Sequence, residues 1–201
     1  MFAFTRQALR AWLLLLVSAL VLSSCGTHTF RGTVLEPPNQ AKDFTLTDHN
    51  GQPFTLSQQR GKVLTIFFGF TNCPDVCPTA LADMHSVRER LGSDADKLQV
   101  LFVSVDPERD TADRIGRYMQ MFDPSFIGLT GTRAEIDQVM ADYGVTAIKR
   151  EMPNSALGYT VDHSAFVYVI DAAGNWRLLF PHGSKIDDMT GDLRYLIRQG
   201  G

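Results

Sequence analysis

The sequence predicts an α/β fold, a mixed β-sheet flanked by helices, and three observations carry that prediction. "KVLTIFFGF" and "LQVLFVSV" are continuous apolar runs of strand length, which suits central strands covered on both faces. Apolar residues at helical spacing alternate with these runs, so strands and helices take turns along the chain. The third observation is size: 201 residues, 44% hydrophobic and 20% charged, are enough to bury one sizeable core and too few for two.

Taken in order, the first 24 residues differ from the rest. Arg6 and Arg10 precede "AWLLLLVSALVL", and no charge occurs between Ala11 and Cys25. This is the layout of an export signal, with an apolar block too short to serve comfortably as a permanent membrane span. Residues 1–24 are therefore expected to be a signal peptide. Residues 25–42 carry few core-building side chains and a Pro37-Pro38 pair, and read as a tether; the folded domain is expected over 43–201.

From Asp43, "DFTLTDHNGQPFTL" alternates apolar and polar residues around Asn50-Gly51, a hairpin signal. Leu81, Met84, Val87 and Leu91 mark one face of a helix. Ile115, Tyr118, Met119 and Phe122 mark a second, and Ile136, Val139, Met140 and Tyr143 a third, opened by a Thr132/Glu135 capping box. "SAFVYVI" and "NWRLLF" predict a hairpin across "DAAG", and a last helix opens at Ser184 and Asp187. There is no internal repeat and no low-complexity tract.

Charge narrows the partners. Lys and Arg number 19 against 22 Asp and Glu, a net charge of -3, and removal of residues 1–24 takes away two arginines and no acid. An acidic surface without a basic stripe argues against nucleic acid.

"FFGFTNCPDVCPTAL" places Cys73 and Cys77 four residues apart, each before a proline. Proline disfavours the α conformation in the residue before it, so both cysteines are expected to be extended. Pro78 suits the first position of the helix that Leu81 and Met84 continue, with Cys77 near its N-cap. Both sulfurs are then expected in an exposed loop facing a helix N-terminus, whose free N–H groups favour thiolate. A structural disulfide here would constrain the unfolded chain by only about 2 kcal/mol, and the chain has core enough without it. A redox pair and part of a metal site both remain open, although thioredoxin-type enzymes separate their cysteines by two residues and here there are three.

Two resemblances sharpen these readings. "LSSC", Leu22 to Cys25, resembles the lipobox of bacterial lipoproteins. It implies an acylated Cys25, a membrane attachment through that N-terminal lipid, and a domain on the periplasmic side of a bacterial cell membrane. It also accounts for the odd cysteine. "FGFTNCPDVCP", "VSVDPERDT" and "VDHSAFVYVID", in this order, resemble the Sco/SenC family of thioredoxin-fold copper proteins over about Asp43 to Gln199.

The second resemblance implies a thioredoxin-like mixed sheet with an N-terminal hairpin extension. It implies copper, as Cu(I) or Cu(II), held by Cys73, Cys77 and His163, with Asp75, Asp106 and Asp162 as candidates to flank the site. It further implies delivery of copper to the binuclear centre of cytochrome c oxidase subunit II, or upkeep of that centre's cysteines in reduced form. The chemistry agrees: two thiolates and an imidazole suit soft Cu(I) and, with an added ligand, Cu(II). A structural zinc site would want a fourth protein ligand, and none is obvious. Thioredoxin-type oxidoreductases usually place a cis-proline before the strand beside the cysteine loop; this chain has "VDHSAF" and no proline between Pro153 and Pro181.

The rival reading is an enzyme, a thiol:disulfide oxidoreductase using Cys73 and Cys77. A thiol peroxidase is disfavoured, since the P-x-x-x-T-x-x-C pattern is missing before Cys73. His28, His49, His85 and His182 read as surface or packing residues, and Met84, Met119, Met140 and Met189 as core.

Overall fold

A computed structural model describes residues 28–200. Ten strands form: β1 (Thr33–Gln40), β2 (Thr45–Asp48), β3 (Pro53–Thr55), β4 (Val63–Gly69), β5 (Leu98–Ser104), β6 (Ile127–Thr130), β7 (Ala147–Met152), β8 (Gly158–His163), β9 (Phe166–Ile170) and β10 (Asn175–Pro181). The helices are α1 (Val76–Leu91), α2 (Ala112–Gln120), α3 (Arg133–Asp142) and α4 (Ile186–Gln199). Eight strands make one mixed sheet in the order β1-β10-β9-β4-β5-β6-β2-β3, and β7 and β8 pair only with each other.

The two apolar runs become the centre of this sheet. All seven residues of β4 and all seven of β5 are buried, and the two strands run parallel from Val63↔Leu98 to Gly69↔Ser104. Burial on both faces explains why neither run alternates. On one face, Phe67 shares a hollow with Ala80 and Met84 of α1 and Met189 of α4, while Phe102 meets Tyr118 of α2 at a ring separation of 5.8 Å. On the other face Tyr143, which ends α3, packs among Phe44, Phe68, Tyr168 and Trp176.

The expected helices form where their periodicity places them. Leu81, Met84, Val87 and Leu91 are all buried, as are Met119, Met140 and Met189. The Thr132/Glu135 capping box has both of its reciprocal bonds. The Asn50-Gly51 turn closes β2 onto β3: Asp48 accepts from the N–H groups of Asn50 and Gln52, both at 2.8 Å, and Gly51 takes the positive φ of 76° that the turn needs. At the last helix the expectation shifts by two residues, because Ser184 bonds back to the Pro181 carbonyl and the helix starts at Ile186.

The expected tether needs correction. Residues 33–40 are not a free linker but the edge strand β1, paired antiparallel with β10 from Thr33↔Leu179 to Gln40↔Asn175 across a bulge. Before it, the chain is pinned to α4 by Asp192, 1% exposed, which accepts from the N–H groups of Arg31 (2.8 Å) and Gly32 (2.9 Å) and lies 2.8 Å from His28 Nε2. Pro37 and Pro38 fit because an edge strand needs donors on one side only. The folded unit thus reaches back to His28, ahead of Asp43. The signal peptide expected over 1–24 and the lipidation expected at Cys25 lie outside the described residues. Among those described, no helix is long and apolar enough to cross a membrane.

Candidate metal centre

β4 and β5 point the same way, so their C-terminal ends open at one end of the sheet, the usual place for a site in such a fold. β4 delivers the cysteine loop there. β9 is antiparallel to β4, with Phe67 opposite Val167, so the segment entering β9 starts at the same end and brings His163 with it. Cys73 Sγ, Cys77 Sγ and a ring nitrogen of His163 lie within 4.8 Å of one another, and Cys77 Sγ is 3.4 Å from His163 Nε2.

The two cysteines differ more than expected. Cys77 is neither extended nor exposed: it lies in the first turn of α1, which starts at Val76, and its exposure is 0%. The clash that Pro78 imposes on an α-helical Cys77 is overridden by packing of the helix against the sheet, and the N–H that Pro78 lacks would be unpaired in a first turn anyway. Room for the sulfur comes from Gly69, where a Cβ would lie 2.9 Å from Cys77 Sγ and 2.8 Å from the Phe102 ring. Cys73 precedes the helix and is half-buried.

This asymmetry divides the protons. The Cys77 thiol donates to Cys73, and against the opposing effect of burial this bond, with help from the N–H groups of Asp75 and Cys77, holds Cys73 well below the ordinary thiol range. Cys77 is pushed up, first because its proton is held by Cys73 and then by burial. The pair is one thiolate and one thiol that share a proton.

His163 is presented in the form a metal needs. Its Nδ1 lies 3.0 Å from the Ser164 carbonyl, which can only accept, so Nδ1 carries the proton and Nε2 keeps its lone pair toward the sulfurs. The edges of Phe67 and Phe70 pack against the ring, with centroids at 6.0 and 5.8 Å. A shallow cleft lined by Phe70, Cys73, Pro74, Val161 and His163 opens Cys73 and His163 to solvent, with Cys77 buried behind them. Two sulfurs and one imidazole at this cleft form a soft donor set that fits copper.

Of the three acids considered at the site, Asp75 is exposed and makes no capping bond, and the Asp162 carboxylate is held by Arg150 at 2.7 Å on the outside of the hairpin. Asp106 is the one built in: it is 4% exposed and bonded to Tyr159 and Arg109. The other histidines have separate roles. His28 faces Asp192, His85 faces Asp123, and His49 accepts from the Gly128 N–H. Sequence reasoning missed Gly69 and Tyr159, whereas Arg109 and Asp110 lie in "DPERDT", a stretch that reads as a turn into a helix and that the family resemblance sets beside the site.

Comparison with known proteins agrees with this geometry. The profile of the SCO1/SenC family matches residues 33–198. Human mitochondrial SCO1 homolog is 42% identical over 157 residues, which cover 77% of this chain and 52% of that protein. An SCO2-like protein of Rickettsia conorii is 37% identical over 152 residues, covering 76% and 74%. Among solved structures, Bradyrhizobium japonicum ScoI with copper bound aligns at a TM-score of 0.72 and 40% identity, covering 78% of this chain and 99% of that one. Apo Sco1 from Thermus thermophilus aligns at 0.75 and 39%, covering 85% and 99%. With the sheet, the cysteine loop and the histidine all in place, the chain belongs to the SCO1/SenC family.

Proposed function

We propose that this chain is a membrane-tethered copper carrier that loads the binuclear copper centre of cytochrome c oxidase subunit II. The observation that carries the reading is the convergence of Cys73, Cys77 and a bare His163 Nε2 within 4.8 Å at an open cleft. Copper is cargo here. A three-coordinate site of two sulfurs and one nitrogen holds Cu(I), and its exposed side lets an incoming ligand of the recipient take part before the carrier lets go. Lipid on Cys25 would hold the domain at the periplasmic face of the membrane, near a membrane-bound recipient.

A second reading, thiol:disulfide reductase, is favoured by one observation: the low Cys73 and raised Cys77 are what an attacking thiolate and a resolving thiol require. Cys73 would attack a target disulfide, and Cys77, losing its proton, would then displace the target thiolate. The target gains two electrons and the chain keeps a Cys73–Cys77 disulfide. The imidazole separates the two readings, because disulfide exchange does not need it. We expect one copper per chain, binding lost on oxidation of the pair, and oxidase copper-centre assembly abolished by Cys73→Ser, Cys77→Ser and His163→Ala alike. Normal assembly with His163→Ala, alongside failure of both cysteine variants, would replace the carrier by the reductase.

A further inference from the structure

The "DPERD" stretch forms one tight turn between β5 and α2. The N–H groups of Arg109 and Asp110 both donate to the Asp106 carbonyl, at 3.1 and 2.9 Å. The Val105 N–H donates to the Gly69 carbonyl (2.8 Å) and the Asp106 N–H to Ser104 Oγ (3.0 Å), so the turn is fastened to the ends of β4 and β5. From this one fixed point, side chains reach to both halves of the metal centre.

Asp110, 1% exposed, reaches the cysteine half. It accepts from the Thr71 N–H (3.0 Å), the Thr71 hydroxyl (2.6 Å) and the Ser104 hydroxyl (2.7 Å). Arg114 braces the same segment, with Nε donating to Thr71 Oγ1 at 2.7 Å and Nη2 donating to Asn72 Oδ1. Thr71 and Asn72 lead directly into Cys73.

Arg109 reaches the histidine half. Its Nε donates to Asp106 at 2.5 Å, and its Nη1 donates to the carbonyls of Tyr159 (3.0 Å) and Leu157 (3.3 Å). Its guanidinium lies 3.5 Å from the centroid of the Tyr159 ring, whose hydroxyl donates to Asp106 at 2.7 Å. Tyr159 is in β8, the strand that ends at His163, and β8 has no ladder to the main sheet. The chain running into β9 secures one end of the hairpin, and this ring of bonds secures the rest.

We infer that the Asp106–Asp110 turn sets the separation between the sulfurs and the imidazole, with Arg109, seated on Asp106, as the positioning residue for His163 and Asp110 as the positioning residue for the cysteine loop. Two jobs are thereby divided between adjacent residues. Loosening Arg109 moves the imidazole and leaves the sulfurs where they are. Loosening Asp110 moves the sulfurs.

The inference rests on Cys73, Cys77 and His163 binding copper, and the test keeps the two apart. Purified full chain is titrated with Cu(II) and, against a competing chelator, with Cu(I). The Cu(II) paramagnetic spectrum and the Cys73–Cys77 disulfide potential in glutathione buffers are recorded. Arg109→Lys keeps the charge and loses the planar fork; Tyr159→Phe removes one hydroxyl. Both are expected to weaken copper about tenfold or more, to alter the nitrogen contribution to the Cu(II) spectrum, and to leave the disulfide potential at the wild-type value. Asp110→Asn is expected to shift the potential as well as the affinity. Unchanged affinity and spectrum in both Arg109→Lys and Tyr159→Phe would overturn the inference, as would a potential that moves as far with Arg109→Lys as with Asp110→Asn. Copper binding unaltered by His163→Ala would remove His163 from the site, and the inference with it.

Discussion

The cysteine arm and the histidine arm of this centre are built in opposite ways. The cysteine arm rises from β4, every residue of which is buried, and ends with Cys77 sealed against Gly69 and Phe102. The histidine arm is a two-stranded hairpin outside the main sheet; every residue of β7 after Ala147 is exposed, and in β8 only Val161 is buried. One arm is held by the hydrophobic core and the other by a few polar bonds on a surface. The sulfurs are thereby set on a buried base, while the imidazole sits on a segment with few buried contacts whose position depends on polar bonds.

The contrast can be broken at its strong end first. Phe68, 0% exposed and packed against Tyr143 and Tyr168, belongs to the rigid arm. Phe68→Ala should cost about 3–5 kcal/mol of stability, seen in urea unfolding. A loss below about 1 kcal/mol would mean that β4 is not the rigid base described.

A middle-sized effect sharpens the difference between the two sulfurs. Cys73 should be alkylated by iodoacetamide at least about tenfold faster than Cys77, because it is the half-exposed thiolate of the pair. With the folded-state pKa of Cys73 lowered, its thiolate survives as pH falls beneath the ordinary thiol range, and reaction slows only when pH drops through the lowered value. Peptide mapping after timed alkylation between pH 5 and 8 checks this; a rate that rises steeply across the window would contradict it.

The smallest effect is expected at the outer hairpin. Ile148 is 48% exposed, and its truncation to Ala should change stability by no more than about 0.5 kcal/mol. A larger loss, measured by the same urea unfolding, would show that the hairpin carries core packing and that the two arms are more alike than their burial indicates.

Legibility in the sequence followed the same division. The elements read correctly were those whose burial leaves a pattern: the two apolar runs, the α1 face from Leu81 to Leu91, and the Thr132 capping box. From sequence β1 looks like a tether, because an edge strand with seven of eight residues exposed shows no apolar alternation and tolerates two prolines. β7 and β8 leave no signal for the same reason, and β6 none because four residues are too few to show a period. Within the site, residue types and spacing mark the Cys73/Cys77 pair, the resemblance to the Sco/SenC family adds His163, and nothing local marks Tyr159 or Gly69.

By itself, then, the sequence determined what is written in local pattern and in motif: the α/β class, the central strands, the helices, and the three donor residues whose types suit a soft metal. Tertiary structure alone decided that Cys77 is buried in a helical turn and not extended in a loop, that the chain from His28 is part of the folded body, and that one turn grips both arms of the centre. The physical reason is that local preferences, such as the bias of a residue before proline, are weak beside the burial of a whole helix face. The bonds from Asp110 to Thr71 and from Arg109 to Tyr159 link residues 39 and 50 positions apart, separations at which no local pattern can record them.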